Sequence, residues 1–180
     1  IIIFVSVLGG DKLAGFFFQA QRLAGVPLQF LAPLVSRVAA VWFGQTEDRE
    51  MRMIGRNKLI IFSGIPLIIL GGCCYFFSSL IVPILFGENW AVSGALLSLM
   101  SGVVIFHSLF EILKSYCWQA RQMRWLLLAR VAQYLGAIMP LIMLGSIVID
   151  IASILAIGQS LAFIFGFVVL LYLLNRAEQR

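Results

Sequence analysis

Apolar residues along this chain do not alternate with polar ones; they run in long blocks separated by short polar connections. About 20 consecutive apolar residues, coiled as a helix, cross the ~30 Å hydrocarbon core of a bilayer. Five blocks reach that length, at residues 13–44, 59–86, 91–113, 126–149 and 151–174. Residues 1–8 read as the end of a sixth, truncated span. In lipid, backbone N–H and C=O groups have no water to bond, so a spanning segment satisfies them internally as a helix. The pattern predicts an all-α membrane protein, a polytopic helical bundle.

The connections carry the orientation. Basic residues resist translocation, so loops rich in Lys and Arg stay cytoplasmic. Arg49, Arg52, Arg56 and Lys58 lie in one connection, Lys114, Arg121 and Arg124 in another, and Arg176 and Arg180 in the tail. The intervening connections hold Lys12 alone, or no basic residue around Glu88 and Asp150. Alternation holds for every loop, and it puts the C-terminus in the cytoplasm. Composition agrees: 62% of residues are hydrophobic and 12% charged, with a mean hydropathy of +1.03. A soluble domain is closer to about 45–50% apolar and about 25% charged.

Net charge is +5, yet the basic residues are scattered between apolar runs instead of clustering among stacking aromatics, which argues against nucleic acid. The chain begins at Ile1 inside an apolar run, without Met or a basic n-region, as a piece of a longer protein would. Cys73 and Cys74 are adjacent and Cys117 stands apart, a spacing that builds neither a metal site nor a disulfide framework.

Within the spans, Gly94, Ser98 and Gly102 make two small-xxx-small steps, a device for close helix approach in lipid. Prolines at 27, 33, 66, 83 and 140 each remove a backbone donor and predict kinks. Trp42, Trp90, Trp118 and Trp125 fall at span ends, where amphipathic rings sit at headgroup level.

Candidate chemistry is confined to a few polar positions. Gly15, Arg22, Gln29 and Ser36 recur every seven residues with Arg37 beside them, so Arg22, Gln29 and Arg37 share a helix flank. Arg22 lies deep in its span, where a guanidinium normally faces a protein interior or a wet cavity. Its fork matches the oxygens of an anionic cargo; snorkelling to the interface is the alternative, strongest for Arg37. Arg130 and Gln133, with Tyr134 nearby, make a second polar group suited to lining a path. His107, Glu111 and Lys114 share one face. His107 and Glu111 are candidates for ion coupling as a proton relay; a local Glu111–Lys114 ion pair is the alternative. No GxSxG, Walker loop, HExxH or paired-carboxylate motif occurs, so the chain reads as a non-enzyme needing no cofactor or metal.

The stretch GFFFQAQRLAGVPLQFLAPLVSRV, followed by a short charged loop, a long span and ILFGENWAVSGALLSLM, resembles the C-terminal half of polysaccharide-biosynthesis flippases of the O-antigen (Wzx) type. These belong to the multidrug/oligosaccharidyl-lipid/polysaccharide exporter superfamily. The resemblance rests on Arg22 with Val26 and Pro27, and on Leu85, Phe86, Gly87 and Trp90. It implies one lobe of a twelve-helix transporter in the bacterial inner membrane, acting by alternating access between two lobes. The implied cargo is a polyprenyl-diphosphate-linked oligosaccharide. The implied partners are membrane lipids, an N-terminal lobe lying outside this sequence, and the polymerase and glycosyltransferases of the same pathway. A drug or metabolite exporter of the superfamily, and a membrane-embedded enzyme or assembly partner, are the competing readings.

Overall fold

A computed structural model describes residues 2–46, 48–144 and 150–178, and among these every regular element is helical. The order is α1 (Ile2–Gln45), α2 (Arg49–Phe86), a 3₁₀ turn (Glu88–Trp90), α3 (Ala91–Leu99), α4 (Ser101–Gln119), α5 (Met123–Leu144) and α6 (Ile151–Glu178). Three helical stretches, Gly10–Gln45, Arg49–Phe86 and Ile151–Glu178, are long and apolar enough to cross a membrane. The α3–α4 pair makes a fourth if its two halves count as one span. The chain is therefore a helical membrane protein. Helix α5 covers the predicted fourth span from Met123 to Leu144 without matching the others in length and hydropathy among the described residues. Residues 145–149 of that predicted span lie outside the described residues, as do Arg180 and Gln179 of the tail.

Helix breaks fall where the sequence does not announce them. Helices α1 and α2 run uninterrupted through Pro27, Pro33, Pro66 and Pro83. The break in α1 is at Gly10, whose φ of 80° and ψ of 162° suit only glycine, so the truncated span and the first full one meet there as a kink. The predicted third span is two helices, bent by 43° at Met100. Met100 keeps its N–H bonded to Leu96 and Leu97 carbonyls at 3.1 Å, and α4 restarts from the next residue.

That bend divides the small-residue stripe between two partners. A Cβ on Gly94 would stand 2.7 Å from the Ser78 carbonyl oxygen, so α3 lies directly on the α2 backbone. A Cβ on Gly102 would meet Ser160 of α6 instead, at 2.9 Å. Ser98, the middle residue, bonds back to Ala95 within its own helix at 2.7 Å. One straight face could not serve both neighbours.

Helix α4 is the hub, touching α1, α2, α5 and α6. Two cores stack along it. One gathers Phe17, Val82, Leu96, Met100 and Val104; the other gathers Phe43, Phe110, Leu113, Tyr116 and Leu170. Outward, α2 presents Phe62, Ile65, Ile69, Phe76, Leu80 and Ile84 unburied. A contiguous apolar surface of that kind has lipid as its natural solvent.

The connection between α1 and α2 is much shorter than its charge pattern suggests. Asp48 caps α2 by accepting from the Glu50 N–H at 3.2 Å, and the helix begins at Arg49. Arg56, one of the four basic residues expected in an open loop, is a fully buried helical residue. Its Nη1 donates to both Glu178 oxygens at 3.0 Å, and Nη2 to Asn175 Oδ1 at 2.6 Å. Asn57 Oδ1 accepts from Nε and Nη2, and the guanidinium carbon lies 5.2 Å from the Tyr116 ring centroid. The Tyr116 hydroxyl also bonds Glu178.

Removing one member of a buried ion pair strands the other, at about 3–5 kcal/mol. Glu178→Ala should therefore cost about that much stability, whereas the double variant Arg56→Met/Glu178→Met should cost far less. Thermal unfolding of the purified protein in detergent checks both.

Candidate functional site

Helices α1 and α5 do not pack against each other along their length, while α4 and α6 fill the space beneath them. The result is a cleft of about 450 Å³ with α1 and α5 as walls and α4 and α6 as floor. Its polar lining comes from four helices: Gln21 of α1, His107 of α4, Arg130, Gln133 and Tyr134 of α5, and Gln159 of α6. The remainder is apolar, including Leu28, Met100, Val103 and Phe163.

Arg130 and Gln133 are one turn apart on α5, so their side chains meet. Arg130 Nη1 donates to Gln133 Oε1 at 2.8 Å, and its guanidinium carbon sits 4.7 Å from the Phe110 ring centroid. The aromatic face compensates part of the cation's desolvation. Because guanidinium can only donate, the atom facing it must be the carboxamide oxygen, which turns the Gln133 amino group the other way. That Nε2 is buried without a hydrogen-bond partner among the described residues, in a side chain only 7% exposed. His107 is held by an edge contact with Phe163 at 4.8 Å, and its Nδ1 is likewise buried and unpaired among the described residues.

Gln133 has room for one reason. Gly166 of α6 lies directly against it, and a Cβ there would stand 2.6 Å from Nε2 and 2.7 Å from Cδ. Two more glycines bring α5 and α6 together: Gly136 meets Ala162 and Phe165, and Gly158 meets the Ala137 carbonyl. Close backbone approach thus holds the α5 wall on the α6 floor.

The candidates from the sequence are distributed unevenly. Arg130, Gln133 and His107 come together in the cleft. Arg22, Gln29 and Arg37 are exposed on α1 and do not line it; Gln21, the neighbour of Arg22, does. Glu111 forms an ion pair with Lys114 and is not part of the cleft lining. Gln21 and Gln159 were not anticipated. Gln159 is a single carboxamide within a long apolar run, which is the signal that marks it, whereas Gln21 sits between Gln19 and Arg22 and no such signal sets it apart.

Chemically, the cleft offers one guanidinium, three carboxamides, an imidazole and a phenol, and no carboxylate lines it among the described residues. That set favours anionic and hydroxyl-bearing groups over cations. No cluster of three or more His, Cys, Asp or Glu residues suited to a metal occurs among the described residues. No family model, curated protein or solved structure matches the chain.

The contact between Gly166 and Gln133 is open to a double-mutant cycle. Gly166→Ala should destabilise by about 1–3 kcal/mol, the usual cost of overpacking. If Gln133 is the obstruction, Gly166→Ala/Gln133→Ala should lose no more than Gln133→Ala alone, a non-additivity measurable by thermal unfolding in detergent.

Proposed function

We propose that this chain is one lobe of a twelve-helix transporter that moves an anionic, lipid-linked oligosaccharide across the bacterial inner membrane, with its C-terminus in the cytoplasm. One observation carries the reading: a cleft between the helices lined by Arg130 and by Gln21, Gln133 and Gln159, without a carboxylate among its described lining. Arg130 is half-buried in the cleft, and a cation within a membrane protein is retained where an anion or water-filled path needs it. Carboxamides both donate and accept, which suits sugar hydroxyls beside a phosphate. The resemblance of the Arg22 and Leu85–Trp90 segments to O-antigen flippases supports the same cargo.

In this mechanism Arg130 attracts the diphosphate from the cytoplasmic leaflet, the carboxamides hold the sugar, and the apolar tail stays in lipid. An opposing N-terminal lobe supplies the other half of the path, and rocking of the two lobes exposes the cleft to each side in turn. His107 is the imidazole of the cleft and the candidate carrier of a coupling proton in this mechanism. Glycosyltransferases would supply the cargo and a polymerase would consume it. Export of cationic drugs is disfavoured, because such cargo calls for a carboxylate in the cleft.

Loss of a charged hydrogen-bonding partner costs about 1.5–3 kcal/mol, or roughly 10–100-fold in affinity. In cells making the polysaccharide, Arg130→Ala in the full-length protein should reduce surface polysaccharide by about that factor, with the variant still present in the membrane. Arg130→Lys should restore part of it. Full surface polysaccharide with Arg130→Ala would exclude this cleft as the anion path.

A further inference from the structure

At the opposite end of α5 from Asp150, a second recess of about 370 Å³ opens between the start of α5 and the end of α6. Arg124, Trp125, Leu173, Arg176 and Ala177 line it. Arg49 of α2 reaches its edge, where Nη2 donates to the Ala177 carbonyl at 2.9 Å. Three helices thus deliver three guanidinium groups to one small area.

Among the described residues no carboxylate pairs with Arg124 or Arg176. Glu178 follows Ala177 in sequence but is consumed by Arg56 and Tyr116. The Arg124 guanidinium lies over the Trp125 ring, 4.5 Å from its centroid, and both arginines are exposed. The Trp125 indole N–H is buried without a hydrogen-bond partner among the described residues.

We propose that this recess binds the headgroup of an anionic phospholipid. Two guanidiniums without a carboxylate partner among the described residues fit a phosphodiester, and basic pockets between membrane helices are suited to anionic lipid headgroups. The lipid, not a free anion, is favoured by the other half of the lining. Trp125, Leu173 and Ala177 form an apolar side, and α5 continues from the recess with exposed Leu127 and Leu128. Those residues give acyl chains a track along the helix. The tryptophan occupies the headgroup level that its amphipathic ring prefers. This site is separate from the cleft around Arg130 and does not depend on what that cleft transports.

The test uses the chain in detergent, titrated with brominated-chain phosphatidylglycerol or with brominated-chain phosphatidylcholine. Bromine quenches nearby tryptophan, and the difference between the wild type and Trp125→Phe isolates quenching at this site. Phosphatidylglycerol should bind about thirtyfold more tightly, as expected for two basic side chains at a lipid surface. Arg124→Gln/Arg176→Gln should abolish the preference. Lys12→Gln/Lys58→Gln, the same change in net charge elsewhere, should leave it intact. Arg124→Lys/Arg176→Lys should keep most of it, which separates loss of charge from loss of fold. Equal affinity for the two lipids, or a preference that survives Arg124→Gln/Arg176→Gln, would overturn the proposal. Inorganic phosphate that displaces the lipid at equal concentration would identify a soluble-anion site and reject the lipid assignment.

Discussion

The position of the cleft depends on a guanidinium taken entirely out of solvent. Burying Arg56 and Glu178 costs several kcal/mol per ion unless geometry and further hydrogen bonds offset it. Here Asn57, Asn175 and Tyr116 complete the shell, so that α2, α4 and α6 are tied together at one end. A second polar clamp lies further along: Ser160 Oγ donates to the Leu99 carbonyl at 2.6 Å, with Gly102 pressed against the same serine. Eighteen residues separate Ser160 from Glu178, about 27 Å of helix. Two clamps that far apart fix both the register and the tilt of α6 against the α3–α4 segment, and α4 with α6 forms the floor of the cleft.

The α5 wall is attached differently. It packs mainly on α6, through Gly136, Gly158 and Gly166, and touches α4 only lightly. Close packing of small residues gives dispersion contact without the directional restraint of a hydrogen bond. The Arg130–Gln133 pair therefore rides on a helix hairpin, while His107 rides on the clamped hub. Any rigid-body movement of the α5–α6 hairpin relative to α4 would have to break a clamp. Movement of α5 alone would break no hydrogen-bonded clamp, though it would disturb the glycine contacts and the Arg130–Phe110 stacking, and it would change the spacing between Arg130 and His107 directly.

Long apolar blocks and their polar interruptions were readable from the chain because both depend on local composition. The helical class and the bounds of α6 follow from them, while α2 begins ten residues before its predicted span. What composition hides is any pairing across long sequence separation. Arg56 looked like an ordinary loop cation because its carboxylate partner stands 122 residues away. The break at Met100 was invisible for a related reason: it answers two neighbours, Ser78 and Ser160, on helices whose placement the local sequence does not encode. Prolines suggested kinks, and the helices run continuously through Pro27 and Pro66. In the site, Arg130 and Gln133 were recognisable as a polar pair one turn apart, yet the approach of His107 and Gln159 required the tertiary fold.

The arginines of α1 acquire their meaning from geometry at the cleft edge. Gln21 lines the cleft, and Arg22, the next residue, points about 100° further round the helix. Arg22, Gln29 and Arg37 thus mark an exposed flank beside the cleft, where Phe30 and Leu34 are also unburied. A guanidinium about ten residues into a span is costly against lipid tails. In the proposed transporter, the flank that carries Arg22 is the one an opposing lobe would cover. Lipid would then solvate α2 on the far side, whose exposed Phe62, Ile69 and Phe76 need nothing else. The same division explains why α1 tolerates charge along a flank that α2 fills with aromatic and aliphatic side chains. In that transporter, one helix would border a path and the other the bilayer.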